Sequence, residues 1–397
     1  MQAQGIKSIK YVGRQKTLDF EVDSKYHNFY AEGMVVSNSH ATGYAYITAI
    51  CAYLKANHPT QFFVSLLNNA KNEQNPIDEI KIIKKELVHF GIKLLAPDIT
   101  QSDFNNFSIR DNNILFPISN IKGISEKNLV KLSKFKVKDG NKFEIFKAAK
   151  EAKLPLNILS GLILSGSMDR FLAETRTKTV MEACLWNLLT TREHNRCLEY
   201  GAKYNYSLID LVKALNEKIF DNNGKPIIKD SRRQTLRRDF APYNEIYKNN
   251  SKNDKLSSFF YEKKLIGFSY STTLYELFKP VCADLSTITE FSGGLNDEYY
   301  KLIGEVVEVK QDVSKNGNKY LRVKIENDDG EVMLFLFDGK YGRIQDHEET
   351  NGEIVTEGSI VIANGRKKES SLFADYISKQ EYLIIDKISQ VEKLAKS

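Results

Sequence analysis

The sequence predicts a multidomain α+β chain with a short all-β segment in front, a helical body and a β-barrel near the end. Three observations predict it. At 397 residues the chain is longer than one hydrophobic core usually organises. Apolar residues then recur at helical spacing through the middle, as at Ile80, Ile83 and Leu87. Finally, Asn316-Gly317 sits between two alternating runs, a strong hairpin signal.

Taken in order, positions 1–38 read as short strands: Ser8 to Val12, Thr17 to Val22, Phe29 to Ala31 and Met34 to Val36. Positions 39–215 are mainly helical, and they divide near 110 into a segment 39–110 and a segment 111–215. The first opens with a helix whose Tyr44, Ile47 and Cys51 share a stripe, with Lys55 one turn on. Positions 216–297 are expected to be a basic, exposed connection carrying one or two short helices, because 217–258 are rich in Asn, Lys, Arg, Asp and Ser. Strands return at 298–386, where Leu321, Val323 and Ile325 face one way and Tyr320, Arg322 and Lys324 the other. A tail, 387–397, follows.

Composition excludes several classes. Hydrophobic residues make up 42% and charged residues 27%, as in ordinary globular proteins, and no apolar run approaches the ~18 residues of a membrane helix. Met1 to Gly5 lacks the order of a signal peptide. The cysteines (Cys51, Cys184, Cys197, Cys282) are too scattered for a disulfide framework. These features lead us to expect a cytoplasmic protein with no membrane partner. Cys184, His194 and Cys197 match no metal-ligand spacing, so no metal site is expected. A net charge of +6 suits a polyanionic partner without requiring one.

Chemistry is suggested first at Asn38-Ser39. An Asn side chain can cyclise onto its own carbonyl and cleave the chain, and a following hydroxyl can accept an acyl group. His is the usual proton carrier for such steps near neutral pH. The stretches Leu18 to Val22 and His27-Asn28-Phe29-Tyr30-Ala31-Glu32-Gly33 to Asn38 resemble the C-terminal blocks of inteins. The resemblance implies that Asn38 cyclises, Ser39 accepts the acyl group, His27 assists cleavage and Asp19 supports proton transfer. Ser37 stands where that family usually has His, which places more of the cyclisation on His27. The block that begins an intein is absent from the sequence, so splicing would occur in trans, as in a split intein.

After the junction come Ser39-His40-Ala41-Thr42-Gly43-Tyr44-Ala45-Tyr46 and Tyr53-Leu54-Lys55-Ala56-Asn57-His58-Pro59. Together with Gly91-Ile92-Lys93, Pro97-Asp98-Ile99, Ile118 to Ser125 and Leu162 to Asp169, they resemble the fingers and following segments of C-family replicative DNA polymerases. The resemblance makes His40 and Tyr44 candidates for nucleotide or template contact, with helix packing as the other reading. It also implies that the catalytic Asp residues and their Mg2+ belong to a partner's palm domain. No cofactor is then expected in this chain itself. Asn120 to Ser125 resembles a helix-hairpin-helix turn opening a helix over about 126–134, with Lys122, Gly123, Ser125 and Lys127 placed for a DNA backbone. Ser125 occupies a position normally held by Gly and can cap the helix instead.

Lys229, Arg232, Arg233, Arg237 and Arg238 form a basic cluster. Gln234-Thr235-Leu236 with Phe240 is a poor match to a clamp-binding peptide, so a sliding clamp stays possible but unsupported. The strand-rich end resembles an OB-fold, on which Tyr320, Arg322 and Lys324 offer stacking and charge to a single strand, or form an ordinary barrel exterior. The expectation is therefore a split-intein fragment (1–38), polymerase fingers (39–110), a helix-hairpin-helix region (111–215), a connection (216–297) and an OB-type barrel (298–386). Its partners would be DNA and an N-terminal polymerase half bearing the other intein fragment. The alternative is a stand-alone DNA-binding accessory protein that does not splice.

Overall fold

A computed structural model describes residues 28–31, 34–37, 40–135, 141–172, 175–216, 228, 230–250, 254–337 and 355–379. The chain divides into two compact units, Met1–Ile92 and Lys93–Ser397.

In the first unit, β1 (Asn28–Ala31) and β2 (Met34–Ser37) form an antiparallel hairpin with Tyr30 opposite Val35. Helices α1 (His40–Asn57), α2 (Pro59–Asn69) and α3 (Pro76–Leu87) follow. Pro59 and Pro76 open their helices, where the missing N–H is harmless and the fixed φ suits the first turn. The core is Phe63, Leu67, Ile80, Ile83 and Leu87, in keeping with the spacing read from the sequence. Tyr44, Ile47 and Cys51 do not join it, and all three are exposed. Phe63, edge-on to Phe90 at 5.1 Å, already fills the space between α2 and α3.

The second unit opens with a small sheet of β3 (Leu94–Leu95), β4 (Ser108–Arg110) and β5 (Asn113–Leu115), in the order β3-β5-β4. The boundary expected near 110 falls in the β4–β5 turn, where Asp111 and Asn112 both take positive φ. Strand pairing thus ties together two segments that composition had separated. The helical core follows: α4 (Glu126–Lys134), α5 (Lys142–Glu151), α6 (Leu156–Leu164), α7 (Arg176–Leu188), α8 (Thr191–Tyr200), α9 (Leu208–Asn216), α10 (Asp230–Asn250) and α11 (Asp254–Ile266). Phe143, Leu162, Val180, Trp186 and Leu211 are all but fully buried there.

The expectation of an exposed connection at 216–297 needs correction. Leu236 and Phe240 of α10 and Tyr261 of α11 belong to the same core. Their sparse apolar spacing was masked by the many charged residues between them. Short helices α12 (Leu274–Phe278) and α13 (Ile288–Gly293), each begun by a Thr–Glu capping box, lead to the barrel.

The barrel is β6 (Tyr299–Val313), β7 (Lys319–Asn327), β8 (Gly330–Phe337), β9 (Ile360–Lys368) and β10 (Ser371–Lys379), closed in the order β10-β8-β7-β6-β9. The β6–β7 turn is where Asn316-Gly317 predicts it, with Gly317 at φ +82°. Leu321, Val323 and Ile325 point inward with Val332, Leu334 and Leu336. Lys367 also lies inside, its Nζ donating to the Ser292 and Gly294 carbonyls at 2.7 Å each, which fastens the C-terminal end of α13 to the barrel.

Candidate nucleic-acid interface

Strand alternation decides which barrel residues face solvent. Outward residues of β7 are Tyr320, Arg322 and Lys324, and register sets them beside Phe337, Phe335 and Met333 of β8. Phe335 in turn lies beside Phe373 of β10, Phe373 beside Arg366 of β9, and Arg366 beside Tyr299 of β6. One outward row therefore runs Arg322, Phe335, Phe373, Arg366, Tyr299 around the barrel.

The rings form a connected surface. Tyr320 stacks on Phe337 at 5.3 Å, Phe337 on Phe373 at 5.3 Å, and Phe335 meets Phe373 at 5.5 Å. Lys368 lies 5.1 Å from the Phe373 ring centre, and the Arg366 guanidinium lies 4.9 Å from that of Tyr299. Acidic neighbours temper the charge. Arg322 Nη1 is 3.9 Å from Asp312, and Lys324 Nζ is 2.6 Å from Glu331, whose hydrogen bond raises the Lys324 pKa. Arg322 Nε is buried and has no hydrogen-bond partner among the described residues. The sequence singled out Tyr320, Arg322 and Lys324, which do face outward, but not their neighbours Phe335, Phe337, Phe373, Arg366 and Lys368. Alternation in β8 was the available signal, since Val332, Leu334 and Leu336 turned inward leave two Phe side chains outside.

A second candidate surface is the turn before α4. Gly123 adopts φ +92° with open space where a side chain would begin, a conformation that favours glycine. The Lys122 N–H donates to the Leu265 carbonyl at 2.8 Å, anchoring the turn on α11. Ser125 caps α4 in a reciprocal box with Asn128, whose Oδ1 accepts from the Ser125 N–H at 3.1 Å. Lys122, Gly123, Ser125 and Lys127 are all exposed on this turn, where the positive end of a helix adds to the lysine charge.

Other expected positions are not gathered into these surfaces. Tyr44 is exposed on α1, and His40 begins the same helix, whereas Asp19, His27, Asn38 and Ser39 lie outside the described residues. Of the basic cluster, Arg237 and Arg238 are exposed on α10, Lys229 lies outside the described residues, and Arg232 and Arg233 are engaged. Arg232 Nε donates to Glu193 at 2.8 Å, and Arg233 is buried beside Asp230. Leu236 and Phe240, the hydrophobic part of the weak clamp-peptide match, are buried. Cys184 and Cys197 are buried too, which pushes both thiols up to about 12, while His194 stacks on Trp186 at 4.3 Å. Among the described residues no group of three or more His, Cys, Asp or Glu is placed to hold a metal, and no helix is long and apolar enough to cross a membrane.

With this geometry in place, the comparisons fall into line. A helix-hairpin-helix motif family matches residues 91–179. The DNA polymerase III subunit alpha of Buchnera aphidicola is 24% identical over 320 residues, covering 77% of this chain and 24% of the relative. That of Saccharopolyspora erythraea is 24% identical over 356 residues, covering 86% of this chain and 27% of the relative. The Aquifex aeolicus subunit is 31% identical over 140 residues, covering 34% of this chain and 11% of the relative. This chain thus spans about a quarter or less of the length of these relatives. Over the part that aligns, it is homologous to the C-terminal region of the DNA polymerase III alpha subunit.

Proposed function

We propose that this chain is the DNA-holding C-terminal part of a cytoplasmic replicative polymerase, joined to its N-terminal half by protein trans-splicing. In this reading the barrel takes a single template strand across Tyr320, Arg322, Lys324, Phe335, Phe337 and Phe373. The Lys122–Lys127 turn takes duplex backbone, and His40 and Tyr44 lie near the incoming nucleotide. The N-terminal half supplies the catalytic Asp residues and Mg2+ for nucleotidyl transfer. The observation that carries the reading is the connected ring surface flanked by Arg322, Arg366 and Lys368, in a chain homologous to a polymerase subunit. Stacking contributes ~1–3 kcal/mol per base and tolerates any sequence, which suits a template.

Binding of a fluorescent oligothymidylate tests this directly. Phe337→Ala with Phe373→Ala should weaken it at least tenfold while the far-ultraviolet circular dichroism is retained. Unchanged affinity in a folded variant would retire this face.

By the intein resemblance, the peptide bond after Asn38 is broken and Ser39 becomes linked to the partner. Mixing with the cognate N-terminal half should yield a ligated product by mass spectrometry, and Asn38→Ala should leave branched or unspliced species. If the unaltered chain yields no ligated product, the stand-alone accessory protein becomes the better reading.

A further inference from the structure

Helix α1 leaves its large apolar residues exposed; of its described side chains only Lys55 is partly covered. Tyr46, Ile47, Ile50, Tyr53 and Leu54 recur at i, i+1, i+4, i+7 and i+8, a stripe about 120° wide on a helix of 3.6 residues per turn. Their exposures are 70, 56, 41, 62 and 39%. On the other side of the helix, Lys55 pairs with Glu86 of α3 and lies 5.7 Å and 5.8 Å from the Phe63 and Phe90 ring centres. A helix in a folded chain ordinarily turns such a stripe toward a core. Here α3 and Phe63 partly cover Lys55 alone among the described α1 side chains, and α2 and α3 fill their core with their own residues. A contiguous apolar patch of this kind marks a surface that another protein covers.

We infer that this stripe is the docking face for the N-terminal polymerase half, and that the halves associate through it whether or not a peptide bond joins them. The inference rests on the proposed function. Three points name the occupant. The relatives extend well beyond this chain, which spans 24% and 27% of two of them, so a large protein portion is available to cover the stripe. Helix α1 begins two residues after Asn38, so the partner's chain would arrive at this helix. No charged residue lies in the stripe, which disfavours a phosphate backbone, while Tyr46 and Tyr53 supply the ring-plus-hydroxyl anchors enriched in protein interfaces.

The test uses the N-terminal half made without its intein fragment, so that neither splicing nor intein pairing can hold it. It is titrated with the full chain and followed by sedimentation velocity. A one-to-one complex is expected with the unaltered chain. Ile47→Glu with Ile50→Glu should weaken that complex at least tenfold at unchanged helical circular dichroism. Ile82→Glu, at an exposed position of α3, should leave it unchanged.

Absence of a complex, or equal affinity in the double variant, would overturn the inference. So would self-association abolished by the double variant, which would assign the stripe to a second copy. An altered hydrodynamic radius of the variant chain alone, with binding to the N-terminal half intact, would assign it to the rest of this chain. If the intact halves splice but the intein-free half does not bind, docking fails and splicing stands. If they do not splice but the intein-free half binds, splicing fails and docking stands.

Discussion

Arg176, at the start of α7, links four parts of the second unit. It donates to both Asp169 oxygens, at 2.9 and 2.5 Å, to Glu262 at 2.6 Å and to the Tyr270 hydroxyl at 3.0 Å. Glu262 is fully buried and also accepts from the Ser269 hydroxyl at 2.8 Å and the Tyr270 N–H at 2.9 Å. Burial alone would raise its pKa, but the Arg176 charge and these hydrogen bonds outweigh it and hold the carboxyl below its ordinary range. Glu262→Ala would remove one of the two carboxylates paired with the buried Arg176 guanidinium, and the acceptor of the Tyr270 N–H, and should cost ~1–3 kcal/mol, measurable by urea unfolding. Because the folded-state pKa is lowered, this stabilisation is present above the ordinary glutamate value near ~4.3 and is lost as pH falls through the folded-state value. Unfolding followed below pH 5 should show that loss in the unaltered chain and a weaker one in the variant. Gly166 belongs to the same knot: a Cβ there would meet the Tyr270 hydroxyl at 1.8 Å, and φ is +80°. Gly166→Ala should therefore also destabilise. The sequence displayed Leu162 to Asp169 as a resemblance only. Residues 176 and 262, 86 positions apart, meet solely through tertiary folding.

At the scale of elements, local chemistry was legible and distant packing was not. Ser125 announced the start of α4, and Leu321, Val323 and Ile325 announced the inner face of β7, because caps and alternation act within a few residues. Ser125→Ala should lower stability by about 1 kcal/mol, to be read from the denaturation midpoint; an unaltered midpoint would mean that the cap contributes nothing. By contrast, α10 and α11 read as linker because Leu236, Phe240 and Tyr261 are separated by stretches of charge. The small sheet was missed since β3 has only two residues and pairs in parallel with β5 across the intervening loop. The ring surface was half legible: Tyr320 was chosen from its own strand, whereas Phe373 becomes its near neighbour only through the order of strands in the barrel.

For the whole molecule, the two candidate surfaces of the second unit differ in kind. The turn before α4 offers lysines and a helix end, the barrel offers rings with interspersed cations. Salt should separate them. For the barrel, Arg322→Ala should reduce the slope of log affinity against log salt by ~1 if that guanidinium neutralises a phosphate, as measured by oligonucleotide titration over several salt concentrations. An unaltered slope would leave Arg322 as a neutral packing group.

Closure of the barrel by the parallel pairing of β10 with β8 has a consequence for specificity. Each of its five strands has a neighbour on both sides, so the order of strands has no free edge, and the seam itself is the short stretch Ser371–Phe373 against Met333–Phe335. In the proposed reading a visitor lies across the outside and is gripped by side chains. Such a grip tracks the flat faces of bases and the spacing of phosphates rather than their order, and so can let a strand slide through without reading it.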